Sequence, residues 1–396
     1  MTDSVRYGID TKRMRPAYFK IFFLSLIGIF VIFFNATPVS ASLITDIRFW
    51  SAPDHTRVVL DLTGPVQYEE SSLEISLQYQ LELKDSFLFT KKREVDVNDP
   101  FLSKIILSDL GMDKVKLIFY QKKSLNVDIF PLKPYLDKPH RLVIEFIDLV
   151  QEKKEEEERG KQKEIMPKGT KIVVVDPGHG GDDPGATGPR KTMEKDIVLK
   201  VGEKLVHLLN QNQGIKAFLT RKKDYFIQLE NRSKIASNYK ADLFISLHTD
   251  GSFNPEARGS SLYCLSLSGA TDEAAKVLAN KENLSNVLGG AVPRTSSIGK
   301  DPNRDQILVD LMQSNSMRES YRFAELALDE IKGFNELKYP TYRRANFIVL
   351  RAPEVPSVLV EMAYITNKED EHLLNGDKFQ EQFAKGLAGA INKYFK

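Results

Sequence analysis

A run dominated by Glu and Lys, from Gln151 to Gly169, divides this chain into two stretches with different hydrophobic periods. It includes Glu155-Glu156-Glu157-Glu158. Such a segment has too little apolar surface to offset the entropy of ordering it, so it predicts a solvated, partly helical linker over 149–170. A single hydrophobic core cannot run across it, and 396 residues are enough for a core on each side.

Residues 42–148 carry short β-type runs: Ile44 to Phe49, Arg57 to Leu62, Leu73 to Leu83, Val115 to Tyr120 and Arg141 to Ile147. Ala52-Pro53-Asp54 and Thr63-Gly64-Pro65 mark turns between them. The alternation in Arg57-Val58-Val59-Leu60-Asp61-Leu62 suits a strand with one buried face, and several such strands at short spacing predict a small all-β sandwich. From Lys171 the pattern changes to β-branched runs alternating with helical spacing, as in Ile172 to Val175 followed by Ile197 to Leu209. That alternation predicts an α/β domain over 171–396, with a mostly parallel sheet and helices on both faces.

The amino terminus reads as an export signal. Arg6, Lys12, Arg13, Arg15 and Lys20 precede an uncharged apolar run from Ile21 to Phe34, and Val39-Ser40-Ala41 supplies small residues for cleavage after Ala41. The run is short for a membrane span, which needs about 20 residues. The expectation is a signal peptide over 1–41, no stable membrane span after its cleavage, and an exported, periplasmic or cell-envelope protein. Lys and Arg total 56 against 54 Asp and Glu; with five bases and two acids in 1–41, the remainder carries a net charge of −1. That balance argues against nucleic acid as a partner, because neutralising phosphates requires a basic surface. Cys264 is the sole cysteine, so neither an intramolecular disulfide nor a thiolate-rich metal site can form.

Three apolar runs of the second domain lead into a reactive residue. Val173-Val174-Val175 runs into Asp176-Pro177-Gly178-His179-Gly180-Gly181, Phe244-Ile245-Ser246-Leu247 into His248, and Val358-Leu359-Val360 into Glu361. Open α/β sheets bind ligands at the carboxyl ends of their strands, so these side chains are expected to converge. A nucleotide reading of the Gly-rich stretch fails: the dinucleotide fingerprint would need glycine where Asp183 stands, and no P-loop follows. The glycines instead let the backbone bend so that His179 faces a ligand. Glu194 opens the helix that continues through Ile197 and Leu205; an acid there ordinarily serves the helix dipole, but beside two histidines it completes a His₂Glu set. With an open fourth position, that set is a catalytic zinc arrangement. Asp176 and Asp250 are candidates to orient the histidines. Glu361, ending an apolar strand, is the candidate general base. Arg221 and Arg232 read as surface residues or contacts for substrate carboxylates, and His55, His140, His207 and His372 as surface residues.

Four ordered strings carry a resemblance: Val174 to Gly181, Glu194-Lys195-Asp196, Ala241 to Asp250 and Val360-Glu361-Met362-Ala363-Tyr364-Ile365-Thr366-Asn367. Together they resemble the zinc-dependent N-acetylmuramoyl-L-alanine amidases of bacterial cell-wall turnover, from about Lys171 to the C-terminus. The resemblance implies Zn²⁺ held by His179, Glu194 and His248, Glu361 as catalytic carboxylate, and cleavage between N-acetylmuramic acid and L-alanine in wall remodelling and daughter-cell separation. The first domain resembles the AMIN module through Ile44 to Arg48, Asp54 to Leu62 and Pro139 to Phe146, which implies peptidoglycan as its ligand. The family also implies a helical lid displaced by a LytM-like activator, here expected over 284–305. That stretch contains no glutamate, which argues against a carboxylate capping the metal. The alternatives are a zinc peptidase or deacetylase acting on peptidoglycan, or a non-catalytic wall-binding protein.

Overall fold

A computed structural model of the protein describes residues 41–73, 77–135, 137–290 and 302–396. The expected leader, apart from Ala41, lies outside them, as does the 291–301 part of the expected lid. Among the described residues no helix is long and apolar enough to cross a membrane.

The first domain is a two-sheet sandwich. Strands β1 (Ser42–Ser51), β2 (His55–Leu62), β3 (Gln67–Leu73), β4 (Gln78–Lys84), β5 (Ser86–Leu88), β6 (Glu94–Asp96), β7 (Leu102–Gly111), β8 (Lys114–Gln121), β9 (Asn126–Leu132) and β10 (His140–Ile147) make it up. One sheet runs β5-β1-β2-β10-β9 and the other β3-β4-β8-β7-β6. The run predicted as one strand from Leu73 to Leu83 is instead shared by two paired antiparallel arms, β3 and β4. Val58, Leu60, Leu142, Ile144 and Phe146 fill the space between the sheets. The residues alternating with them, Arg57, Val59, Arg141, Val143 and Glu145, are also buried. Strands β2 and β10 therefore have both faces covered, contrary to the one-sided burial expected, because the second domain lies against the outer face.

The acidic run is ordered. Helix α1 (Leu149–Ile165) starts at Asp148, whose side chain accepts from the amides of Val150 and Gln151. It has no fully buried residue, consistent with its composition. Ion pairs Lys234–Glu156, Lys240–Glu164 and Lys163–Asp242 hold it along the second domain, so the segment is a helix that stays solvated while lying against that domain.

The second domain has a six-stranded sheet in the order β12-β11-β13-β16-β14-β15. Its strands are β11 (Lys171–Pro177), β12 (Ile215–Leu219), β13 (Leu243–Asp250), β14 (Ser261–Leu265), β15 (Arg343–Ala345) and β16 (Ser357–Tyr364). The four strands β12, β11, β13 and β16 are parallel; β14 pairs antiparallel to β16. Helices α2 (Glu194–Asn210), α6 (Pro302–Ile331) and α8 (Asp377–Tyr394) bury one face through residues such as Val201, Phe323 and Leu387. Helices α3 (Leu229–Asn238) and α4 (Glu273–Asn283) bury the other through Ile235, Ala275 and Leu278. Short α5 (Ser285–Leu288) follows α4, and α7 (Lys368–Asn375) precedes α8. This is the α/β architecture expected, with helices on both faces.

Candidate functional site

β13 and β16 extend further than their apolar runs, so His248 and Glu361 lie inside paired strands as register partners. Partners in neighbouring parallel strands project to the same face, which brings the imidazole and the carboxylate side by side. His179 stands two residues beyond β11, with a left-handed backbone (φ 58°). A residue with a side chain adopts that region at a cost, and here the surrounding loop holds it there. Close approach explains two of the glycines. A Cβ on Gly178 would collide with the His248 ring, and one on Gly185 would lie 2.5 Å from Glu194 Oε2 and 2.7 Å from His179 Cδ2.

Glu194, the first residue of α2, reaches into the same space. Its Oε2 accepts from the Ala186 amide at 2.7 Å and its Oε1 from the Thr249 amide at 2.9 Å. His179 Nε2 lies 3.0 Å from Glu194 Oε1 and 3.1 Å from His248 Nδ1, and His248 Nδ1 is 3.1 Å from that same Oε1. The three expected ligands thus converge within the protein.

A fourth donor, missed by the sequence reasoning, completes the cluster. Glu282 on α4 places Oε2 3.4 Å from His179 Nε2 and 3.2 Å from His248 Nδ1. Glu282 lies two residues before Leu284, where the expected lid begins, so it falls outside the stretch that contains no glutamate. Glu282 lies in the last turn of a helix whose other buried residues, Ala275, Leu278 and Ala279, are apolar. An acid at i+7 on the face that Ala275, Leu278 and Ala279 make apolar was the available signal. Its neighbour Lys281 sets its ammonium 3.2 Å from Glu282 Oε1 and 3.8 Å from Asp250 Oδ1.

The donor set fits zinc on three counts. Tetrahedral zinc with bonds of 2.0–2.1 Å separates its ligand atoms by roughly 3.3 Å, and the contacts above span 3.0–3.4 Å. Each imidazole also has its outer nitrogen engaged, leaving the inner one for a metal. His179 Nδ1 is 2.8 Å from Asp183 Oδ2, while His248 Nε2 is 3.1 Å from Ser246 Oγ, whose hydroxyl donates to Asp176 Oδ2 at 2.8 Å. Asp176 therefore orients His248 through a serine, and Asp183, not anticipated, orients His179. Asp250 touches neither ring in this way and faces Lys281. Finally, the pocket holds more negative than positive charge. Burial pushes the His179 pKa down, but Asp183 and Glu194 overcome it and hold it well above the imidazole range; burial lowers that of His248 too, and Glu282 and Glu194 outweigh it and raise it. A dication would satisfy those carboxylates in place of the protons.

Glu361 is fully buried, and neither carboxylate oxygen has a hydrogen-bond partner among the described residues. Burial, followed by the Asp250, Glu282 and Glu194 carboxylates, raises its pKa well above the usual range.

Arg221 and Arg232 are neither surface residues nor substrate contacts. Both are buried: Arg221 donates to the carbonyls of Pro177, Gly178 and Lys195, and Arg232 donates to those of Pro177 and His179 and to Asp176 Oδ1. They clamp the loop that presents His179. Burial, with Arg232 as a like-charged neighbour, lowers the Arg221 pKa to about 10.

A parallel-sheet domain whose strand ends gather two histidines and several acids around one point defines an α/β enzyme domain built to hold a metal ion. The family model described as N-acetylmuramoyl-L-alanine amidase matches residues 173–393, and the AMIN domain model matches 46–146. The chain belongs to that amidase family and carries an AMIN domain ahead of the catalytic one, as the resemblance implied. It is 30% identical over 381 residues to the N-acetylmuramoyl-L-alanine amidase AmiC of Escherichia coli O6:H1, covering 90% of each chain. It is 40% identical over 227 residues to AmiA of Escherichia coli K12, covering 57% of this chain and 77% of that one. Among solved structures, the amidase AmiC2 of Nostoc punctiforme matches with 28% identity and a TM-score of 0.40, over 57% of this chain and 96% of that one.

Proposed function

We propose that this protein hydrolyses the amide between N-acetylmuramic acid and the L-alanine of the peptidoglycan stem peptide, in the cell envelope, during wall remodelling and daughter-cell separation. The observation that carries the proposal is the meeting of His179, Glu194 and His248 at metal-ligand spacing beside a buried carboxylate, Glu361, that has no hydrogen-bond partner among the described residues.

His179 Nε2, His248 Nδ1 and Glu194 Oε1 would hold the zinc. Bound there, it supplies a Lewis acid for the scissile carbonyl and lowers the pKa of a water to about 7. Glu361 takes the proton of the attacking water and returns it to the leaving amine nitrogen of L-alanine. Its raised proton affinity suits the second role, and a neighbouring dication opposes that rise enough for the first. Asp183 and the Ser246–Asp176 pair keep the two imidazoles aimed inward, while Arg221 and Arg232 fix the loop carbonyls.

Glu282 Oε2 lies 3.4 and 3.2 Å from the two histidine nitrogens, where it would occupy the metal's remaining position, so this conformation is closed to substrate. Catalysis then requires the Glu282 carboxylate to leave the site, and withdrawal of α4 and α5 is the step by which a LytM-like activator would remove it. Digestion of purified peptidoglycan tests the reaction. The zinc-loaded chain with Glu282→Ala releases intact stem peptides beginning with L-alanine, identified by mass, and additional Glu361→Ala abolishes release without loss of zinc. Muropeptides cut within the peptide, or released acetate, would replace this reading with a peptidase or a deacetylase.

A further inference from the structure

Immediately after Glu282 the chain is gripped by the other domain. Helix α5 ends at Leu288, and the last carbonyls of any helix lack intrahelical partners. Here they are satisfied from the AMIN sandwich: Arg141 of β10 donates to the carbonyls of Leu288 at 2.5 Å and Val287 at 3.3 Å, and Arg57 of β2 donates to that of Gly289. Positive guanidinium groups at a helix carboxyl end also match the sign of its dipole.

Both arginines are almost completely buried, which is costly unless their charges are matched. Arg57 pairs with Glu145 and lies 5.0 Å above the Phe226 ring of the catalytic domain. Arg141 pairs at 2.5 Å with Asp182, which Arg48 and Lys138 of the AMIN domain also approach. Asp182 adjoins Asp183, and Asp183 accepts from His179 and from Ser285 at the start of α5. Packing adds to the charges: a Cβ on Gly290 would lie 2.7 Å from Leu132 and 3.2 Å from Val143, both of the AMIN domain.

We propose that the AMIN domain latches the plug: Arg57 and Arg141 hold the segment from Val287 to Gly290 in place, and thereby keep Glu282 in the metal site. The wall-binding module and the inhibitory helix are then one mechanical unit, and lifting the sandwich off Asp182 frees the exit of the plug. This rests on the reading of Glu282 as a plug, and the test separates the two.

Hydrogen exchange of amides 284–290 is measured on the zinc-loaded full chain, alongside peptidoglycan hydrolysis, for Arg57→Ala, for Arg141→Met, which leaves Asp182 still paired with Arg48 and Lys138, and for Gly290→Leu, which pries the contact apart without removing a charge. The latch predicts at least tenfold faster exchange in that segment for each variant, and raised hydrolysis that adds little to Glu282→Ala. Parental exchange at 284–290 in folded variants overturns it. So does faster exchange with unchanged hydrolysis when Glu282→Ala is itself activated. If exchange rises but Glu282→Ala stays silent, the latch on this segment stands and the plug reading falls.

Discussion

Replacing Glu282 by alanine isolates what the plug contributes. Its Oε2 lies 3.4 and 3.2 Å from the two histidine nitrogens, the position of a fourth ligand or of a charge-assisted partner. Such an interaction contributes about 1.5–3 kcal/mol. At about 1.4 kcal/mol per factor of ten, the ratio of closed to open protein falls roughly 10- to 150-fold. The rest of the helix stays seated, because Ala275, Leu278 and Ala279 remain in the core. The Asn283 side chain likewise keeps its bonds to the Asn346 carbonyl and the Ile348 amide, both 2.8 Å. The gain is therefore local: unstimulated hydrolysis rises by up to that factor, with a ceiling at the fully open enzyme. The assay is release of soluble fragments from labelled peptidoglycan, with zinc content measured on the same sample. Glu282→Gln, which keeps the shape and drops the charge, falls between parent and alanine variant. A folded, zinc-loaded Glu282→Ala protein no faster than the parent refutes the reasoning.

In the Glu282→Ala background, Glu361→Gln lowers the hydrolysis rate by about 10²- to 10⁴-fold, the usual contribution of a general base, while zinc stoichiometry is unchanged. Asp183→Asn weakens zinc binding by about 10- to 100-fold in a chelator competition, because His179 Nδ1 loses the carboxylate that aims it. Asp176 is fully buried; burial raises its pKa, but Arg232, Thr220 and Ser246 outweigh that and hold it below the usual carboxylate range. A carboxylate with a depressed folded pKa stabilises fully above its unfolded value of about 4, and that stability is lost as pH falls through the folded value. The urea midpoint of the parent accordingly drops on acidification below about pH 4, and Asp176→Asn removes part of that slope while lowering the midpoint at pH 7. Gly178→Ala drives a methyl group into the His248 ring and reduces both zinc content and activity, measured together on the purified variant.

The convergence of His179, His248 and Glu361 was legible because strand ends in an open parallel sheet are placed by topology, so the three could be gathered from distant strings without knowledge of a contact. Glu194 was legible as the first residue of an amphipathic helix following the glycine turn. Asp183 was in view only as the residue that broke a nucleotide fingerprint, since its partnership with His179 depends on a left-handed turn that spacing does not reveal. Glu282 and the arginines escaped for a different reason. Each lies on an element whose local pattern is satisfied by its own domain, while its role depends on what another segment brings to it. In β2 and β10 the residues Arg57, Val59, Arg141 and Val143 alternate with core positions, as solvent-facing residues would. Two arginines flanking valines on the outward face admit an exposed reading and an interface reading equally well. The structure decides between them because Asp182 and the bare carboxyl end of α5 supply, from the second domain, the negative charge and the acceptors that two buried guanidinium groups require.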